Sequence, residues 1–264
     1  MSGAPLDAGW LAALRQRADQ PPARPRVPLW AGQARIGSVE PNLLRQIALP
    51  AGLAEESPPG RGAGWRIHGN PTFGLDLIAR ALREAGAAHA WRDEQLAVID
   101  EQGRRVGTVE RAVVRPLGIT TFAVHLVGIA ADGRHWVQQR SLTKPNDPGL
   151  WDTLMGGMIP ASDTPAQSLE RETWEEAGLR LQQLELLRLG GRISIRRPTA
   201  EGRGGYVLEH IDWYRCVVPD GVTPSNQDGE VAQFRRMDAA ELRDRLQRDE
   251  FTTEAALIVS DCLS

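Results

Sequence analysis

Three glutamates crowd into the stretch RETWEEAG, Arg171 to Gly178. Glu172 and Glu176 stand four residues apart, a spacing at which like charges repel and destabilise an isolated helix. At 100° per residue, Glu172, Glu175 and Glu176 share an arc of about 100°, while Ala166, Leu169, Thr173 and Ala177 gather on the neighbouring arc. One face of such a helix packs and the adjacent one collects carboxylates. Hard divalent cations take oxygen ligands of this kind, commonly a few carboxylates plus the phosphates of a substrate. A bound cation would turn the mutual repulsion into a binding site; a solvated acidic face is the plain alternative.

Firm boundary signals frame that helix. Thr164 is a good N-cap, Pro165 suits the first helical position, Gln167 completes a capping box, and Gly178 is placed to end the helix in the left-handed conformation. Upstream, ITTFAVHLVGIAA from Ile119 and RHWVQQRS from Arg134 read as strands joined by a turn at Asp132-Gly133. The loop LTKPNDPGL follows, then the extended piece WDTLMGGMI. Downstream, GYVLEHIDWYRCVV and EVAQFRRM read as strands, DAAELRDRL as a helix with a capping box from Asp238 to Glu241, and TTEAALIVSDCL as a terminal helix. Strands interspersed with helices imply a layered α/β domain.

Read backwards from Leu179 to Gly157, the stretch GMIPASDTPAQSLERETWEEAGL resembles the Nudix box. That pattern is a glycine, five residues, an acid, seven residues, then Arg-Glu, an apolar position, any residue, Glu-Glu, any residue, Gly and an apolar residue. Two positions depart from it: Asp163 stands where the family has glutamate, and Thr173 where it prefers an aliphatic residue. The resemblance implies an α/β/α sandwich with a mixed sheet, and a hydrolase that cleaves a diphosphate linkage with Mg²⁺ or Mn²⁺. It implies Glu175 and Glu176 as principal metal ligands, helped by the backbone oxygen of the Gly157 region, with Glu172 as a third ligand or as the base that activates water. Arg171 would orient a glutamate through a charge-assisted pair. Family members usually borrow one more acid from outside the box, for which Glu209 and Glu230 are the candidates; each reads equally as a surface carboxylate.

Sequence beyond the box bears on the substrate. DPGLWDTLMGGMI, PDGVTPSNQDGEVAQFRRM and DEFTTEAALIVSDCL resemble the Nudix proteins related to thiamine pyrophosphokinase, which carry an extra N-terminal domain. This implies thiamine diphosphate, or its oxo and oxy analogues, as substrate, cleaved to the monophosphate and phosphate. ADP-ribose or another nucleoside diphosphate derivative is the alternative, and a catalytically silent Nudix-fold binding module a third. The related diphosphate isomerases need a cysteine near the metal, whereas Cys216 and Cys262 lie well beyond the box; the coenzyme A hydrolase signature matches only at Arg140 and Ser141. Lys144, in a loop entering the site, could meet a terminal phosphate or be solvated. Trp151 and Trp174 flank the box and could stack on a ring or simply pack.

Residues 1–115 read as a smaller α+β domain ahead of an α/β domain at 116–264, with RPLG at Arg115 marking the junction. ARIGSVEPNLLRQIAL, from Ala34, resembles RRVGTVERAVVRPLGI, from Arg104, and each follows a helix-like segment, AALR or RALR. Either two related units of helix, hairpin and short helix are present, or common β patterns coincide. Asn70-Pro71 signals a helix start, DEQG ending at Gly103 a hairpin turn, and AEESPPGRGAG, from Ala54, a surface loop without the surroundings of a phosphate motif. The net charge of −3 disfavours nucleic acid or a membrane surface as partner. Two cysteines suggest neither disulfide framework nor zinc site, and a reducing cytoplasm fits. No signal peptide or spanning segment is read. The expected partner is a small diphosphate, with a homodimer left open. The five histidines show no metal-ligand spacing.

Overall fold

The computed structural model describes residues 5–57, 64–88, 90–199 and 204–263. Most of the glycine-rich stretch, 58–63, and His89 lie outside the described residues. Helix α1 (Ala8–Ala18) is capped by Asp7, which accepts from the Trp10 N–H. Strands β1 (Val27–Ala31), β2 (Ala34–Val39), β3 (Ala54–Ser57) and β4 (Gly64–Ile67) form a sheet in the order β2-β1-β4-β3, with β1 and β4 parallel. Ala54–Ser57, expected in a loop, is therefore an edge strand: its four residues pair with β4, satisfying a backbone that composition alone left unassigned. Helix α2 (Pro71–Glu84) starts as its Asn-Pro signal requires, the Asn70 side chain accepting from the Phe73 N–H, and buries Leu75, Ile78 and Leu82. Strands β5 (Gln95–Ile99) and β6 (Arg105–Glu110) make a separate hairpin, with Gly103 at φ 77° in its turn.

The remaining strands are β7 (Thr121–Ala130), β8 (His135–Arg140), β9 (Trp151–Asp152), β10 (Met155–Met158), then, after helix α3 (Pro165–Ala177), β11 (Glu185–Pro198), β12 (Tyr206–Val218) and β13 (Val231–Met237). Helices α4 (Ala239–Gln247) and α5 (Thr253–Leu263) close the chain. These seven strands form one sheet along the path β11-β12-β7-β8-β13, with β10 beside β7 and β9 beside β8. Only β7 and β12 pair in parallel, so the sheet is mixed. Alternation along β7 sorts its side chains. Val124 and Leu126 pack with Leu169 and Ala177 of α3. Ala123 and Val127 pack with Ile211, Ile258 of α5 and Ala18 of α1. Helices thus cover both faces, an α/β/α sandwich after an α+β region, as expected.

One further expectation needs correcting, and one strand lies where no element was expected. The proposed repeat holds in element order, because a helix, a hairpin and a 3₁₀ turn (Leu44–Gln46, Arg111–Val113) recur, but not in packing. α2 buries its apolar face in the N-terminal core beside Ile36 and Val109, whereas Leu14 of α1 lies with Val137, Trp151, Met237 and Phe251. Helix α1 therefore belongs by contact with elements beyond residue 116, although it sits in the stretch 1–115. That strand is β11. It is an edge strand with only Ile195 buried, and its bulges near Glu185 and Leu189 break the period-two alternation by which strands are read.

Candidate functional site

The capping signals around α3 are realised in full. Thr164 accepts from the Gln167 N–H while its own N–H donates to Gln167 Oε1 at 2.8 Å, and Gly178 ends the helix at φ 63°. With both ends fixed, the helix aims its carboxylates at the strands β8 and β10. Glu176 is 2% exposed. Its Oε2 accepts from Gln138 Nε2 at 2.8 Å and from the Gly156 N–H at 3.0 Å, and its Oε1 lies 3.3 Å from Lys144 Nζ. Burial pushes this carboxyl up, and Lys144, the Gly156 N–H and Gln138 oppose it without fully offsetting it.

Glu172 lies against the backbone of β10, where a methyl group added at Gly157 would collide with its carboxylate. Only glycine permits that approach. Burial foremost, against the pull of Arg171 and with the repulsion of Glu176 and Glu175, pushes Glu172 up to about 7. Arg171 gathers the cluster: Nη1 lies 3.0 Å from Glu172 Oε1 and 2.8 Å from Glu175 Oε2, and Nε donates to Asp163 Oδ2 at 3.1 Å. Asp163 also accepts from Ser162 and Ser168. Partial burial pushes Asp163 up, but Arg171 and Ser162 hold it below the usual carboxylate range. In this arrangement the shorter acid braces Arg171 rather than facing the other carboxylates.

The residues proposed from outside the box fall into two groups. Glu209 on β12 is buried opposite Thr121 of β7, accepting from the Thr121 hydroxyl at 2.7 Å and from Arg115 Nη2 at 3.1 Å. Burial pushes it up, and Arg115 and Thr121 more than offset that. Glu230, in the loop before β13, pairs with Lys144. Burial pushes Glu230 up, while Lys144 and then the nearby guanidinium groups of Arg92 and Arg111 hold it below the ordinary glutamate range. Lys144, read as a phosphate contact or a solvated loop lysine, is engaged by two carboxylates. Trp151, for which stacking and packing were both open, is packed among Leu14, Val137 and Phe251, because its strand pairs with β8 inside the core. Trp174 is 38% exposed and lies under the Arg180 guanidinium, 3.8 Å from its ring centroid.

Several residues at the site were not read from the sequence. His125 of β7 sits with its Nδ1 2.9 Å from Thr153 Oγ1 and 3.6 Å from Asp152, which also meets Arg140. Gln138 of β8 and Glu254 at the start of α5 are others, Glu254 lying 3.4 Å from Arg197. The available signal at His125 was a polar residue inside an otherwise apolar strand, since buried polar groups require partners, whereas Gln138 lies in the largely polar HWVQQR and carries no such signal. The thiols are unsuited to chemistry here: burial pushes Cys216 and Cys262 up to about 12, so neither offers a thiolate near neutrality.

Among the described residues no three His, Cys, Asp or Glu side chains converge as a ready cation cage. Arg171 draws Glu172 and Glu175 to itself and Lys144 holds Glu176. The donor set nevertheless fits a hard cation: its groups are carboxylate oxygens, a glycine leaves the backbone of β10 open beside one of them, and Gln138 Oε1 is buried without a partner next to Glu176.

Comparison with known proteins bears on the family. The chain is 27% identical over 208 residues to an uncharacterized protein of Saccharomyces cerevisiae, covering 72% of this chain and 60% of that one. It is 28% identical over 168 residues to the chloroplastic Nudix hydrolase 24 of Arabidopsis thaliana, covering 59% of this chain and 43% of the relative. The chain thus spans less than two thirds of the length of these relatives. DR0079 from Deinococcus radiodurans shares the fold, with a TM-score of 0.51 at 19% identity over 64% of this chain and 99% of that one. The family model described as the NUDIX domain matches residues 120–258, the whole of the mixed sheet with α3 and most of α5, and the chain accordingly belongs to the NUDIX family.

Proposed function

We propose that this chain is a metal-dependent hydrolase that splits the diphosphate linkage of a small organic diphosphate. The observation that carries the reading is the matched set on one helix, with Arg171 between Glu172 and Glu175, Glu176 buried below them and Gly157 open behind Glu172. Glu175 and Glu176 would hold Mg²⁺ or Mn²⁺, helped by the Gly157 region, with Glu172 as a third ligand or as the base that activates water. When bound, the cation would neutralise the diphosphate, polarise it and lower the pKa of water. The chain's own residues supply the rest. Asp163 fixes Arg171, and Arg171 fixes the direction of Glu175. Glu172, set against Gly157 and paired with Arg171, is placed to take a proton from an attacking water in the second of its two roles. Glu209 is the additional acid, aimed by Arg115 and Thr121. The buried cysteines argue against isomerase chemistry.

For the substrate we favour thiamine diphosphate and its oxidised oxo and oxy analogues, cleaved to the monophosphate and phosphate. We further divide the chain near residue 116, the first part walling the mouth of the site. Arg92 and Arg111 near Glu230, and Arg115 on Glu209, support that role, since all three come from the first part. A panel of thiamine diphosphate, its oxo and oxy analogues, ADP-ribose, coenzyme A and dinucleotides, each with Mg²⁺ and with Mn²⁺, tests both levels. Metal-dependent release from the thiamine compounds, with the highest kcat/KM, is expected. Preference for ADP-ribose would replace the substrate, and silence on every diphosphate would leave a binding module.

A further inference from the structure

Lys144 is the one lysine in a chain whose other basic residues are all arginine. Its side chain is only 12% exposed, and its ammonium lies between Glu176 of α3 and Glu230 of the loop before β13. Three donors serve the Glu176 carboxylate, and they differ in kind. Gln138 projects from a strand and Gly156 donates its main-chain N–H, at 2.8 and 3.0 Å. Lys144 makes the longest contact, 3.3 Å, from the end of a flexible four-carbon stem. The backbone beneath it is tied down. The Lys144 N–H donates to Ser141 O, the Ser141 N–H to Glu230 O, and the Arg140 guanidinium to Asn146 O. The ammonium can therefore move while its loop stays in place.

A divalent cation that uses Glu176, as the proposed function requires, must take the oxygen Lys144 now contacts. Two cations at contact distance on one oxygen repel strongly in a buried site. Glu230 offers the displaced ammonium a second counterion at the mouth, where a diphosphate would arrive. We propose that Lys144 is a resident countercharge that competes with the divalent cation for Glu176 and, once displaced, holds to Glu230 and the incoming diphosphate, coupling metal loading to phosphate binding. This inference rests on the assignment of Glu176 as a metal ligand. Coupling of this kind is reciprocal, so each ligand tightens the other by the same factor.

A single lysine makes the displacement directly observable. In full-length protein labelled with ¹³Cε-lysine, titration with Mg²⁺ should move the one lysine methylene resonance, and methylenediphosphonate should move it again. Free Mn²⁺ measured by electron paramagnetic resonance should show Lys144→Met binding Mn²⁺ about tenfold more tightly than wild type in the absence of diphosphonate, a middling size for site coupling. Lys144→Arg, which keeps the charge, should stay near wild type. Diphosphonate, corrected for its own complex with the ion, should tighten Mn²⁺ binding more in wild type than in Lys144→Met. Equal or weaker Mn²⁺ binding by Lys144→Met, or a lysine resonance unmoved by Mg²⁺ under conditions where Mn²⁺ binds, would overturn the inference and leave Lys144 a brace. The resonance test on wild type decides the matter even where Lys144→Met does not fold. Failure of wild type to bind Mn²⁺ at all would remove the proposed function together with this inference.

Discussion

Gln138 and the Gly156 N–H hold Oε2 of Glu176 and the Lys144 ammonium meets Oε1, so replacing it with glutamine changes charge far more than shape. If Glu176 is a metal ligand as proposed, Glu176→Gln should lower kcat at least about a hundredfold, because the bound cation supplies several kcal/mol of transition-state charge stabilisation and would lose one of its ligands. Steady-state kinetics at saturating Mn²⁺ would check this, and near-normal turnover would remove Glu176 from the metal site; far-UV circular dichroism should not change. Asp163 calls for a different expectation. Its contacts are Arg171, Ser162 and Ser168, so a glutamate there can still reach Arg171, and Asp163→Glu should keep kcat within about tenfold of wild type. Asp163→Ala frees the Arg171 Nε and loses a charged hydrogen bond worth about 1.5–3 kcal/mol, which a denaturation midpoint would register. If Asp163→Glu proved as damaging as Glu176→Gln, the shorter acid would have to touch metal itself.

At the scale of elements, strand β8 carries a pH liability. His135 opens the strand buried, with neither ring nitrogen hydrogen-bonded among the described residues. Burial first, and Arg215 second, depress it from 6.5 to about 4. The sign follows. Above pH 6.5 the imidazole is neutral in both folded and unfolded chains and contributes nothing. As pH falls from 6.5 towards 4 the unfolded chain takes up a proton that the folded chain refuses, so stability is lost across that window. The loss should approach roughly 3 kcal/mol near pH 4. His135→Phe should abolish it, so urea midpoints of wild type and variant should diverge between pH 7 and pH 4.5; parallel curves would mean that His135 finds a partner. Element boundaries themselves were legible where side chains meet the backbone locally, as at Thr164, Gly178 and Asn70. They were illegible in β3, where proline and glycine crowd the connection to β4, and in β11, whose bulges break the period-two alternation, although each pairs with the strand that follows it in the chain.

For the molecule as a whole, α1 ties the start of the chain to its end. Leu14 is fully buried against Val137, Trp151, Leu242 and Phe251, so Leu14→Ala should cost about 2–5 kcal/mol. A thermal melt would check it, and an unchanged midpoint would show that α1 is dispensable. A fragment beginning at residue 116 would strip this helix from the core, so the role of the first part is better tested in the full chain. Arg92→Ala combined with Arg111→Ala should lower the ratio of kcat/KM for thiamine diphosphate to that for ADP-ribose by about tenfold, if the first part selects the substrate. An unchanged ratio would confine recognition to the second part.

The sequence by itself determined the acidic helix α3, because capping and helical periodicity are local: Thr164, Pro165 and Gly178 set its ends and the spacing of Glu172, Glu175 and Glu176 set its acidic face. It determined Gly157 and Arg171 as members of one pattern. It did not determine what those carboxylates touch. That Gln138, Gly156 and Lys144 converge on Glu176, that Arg115 and Thr121 aim Glu209, and that Trp151 is core rather than platform were decided only by the tertiary structure. The physical reason is that strand register and sheet order bring together residues far apart in the chain, and no local pattern encodes which ones meet.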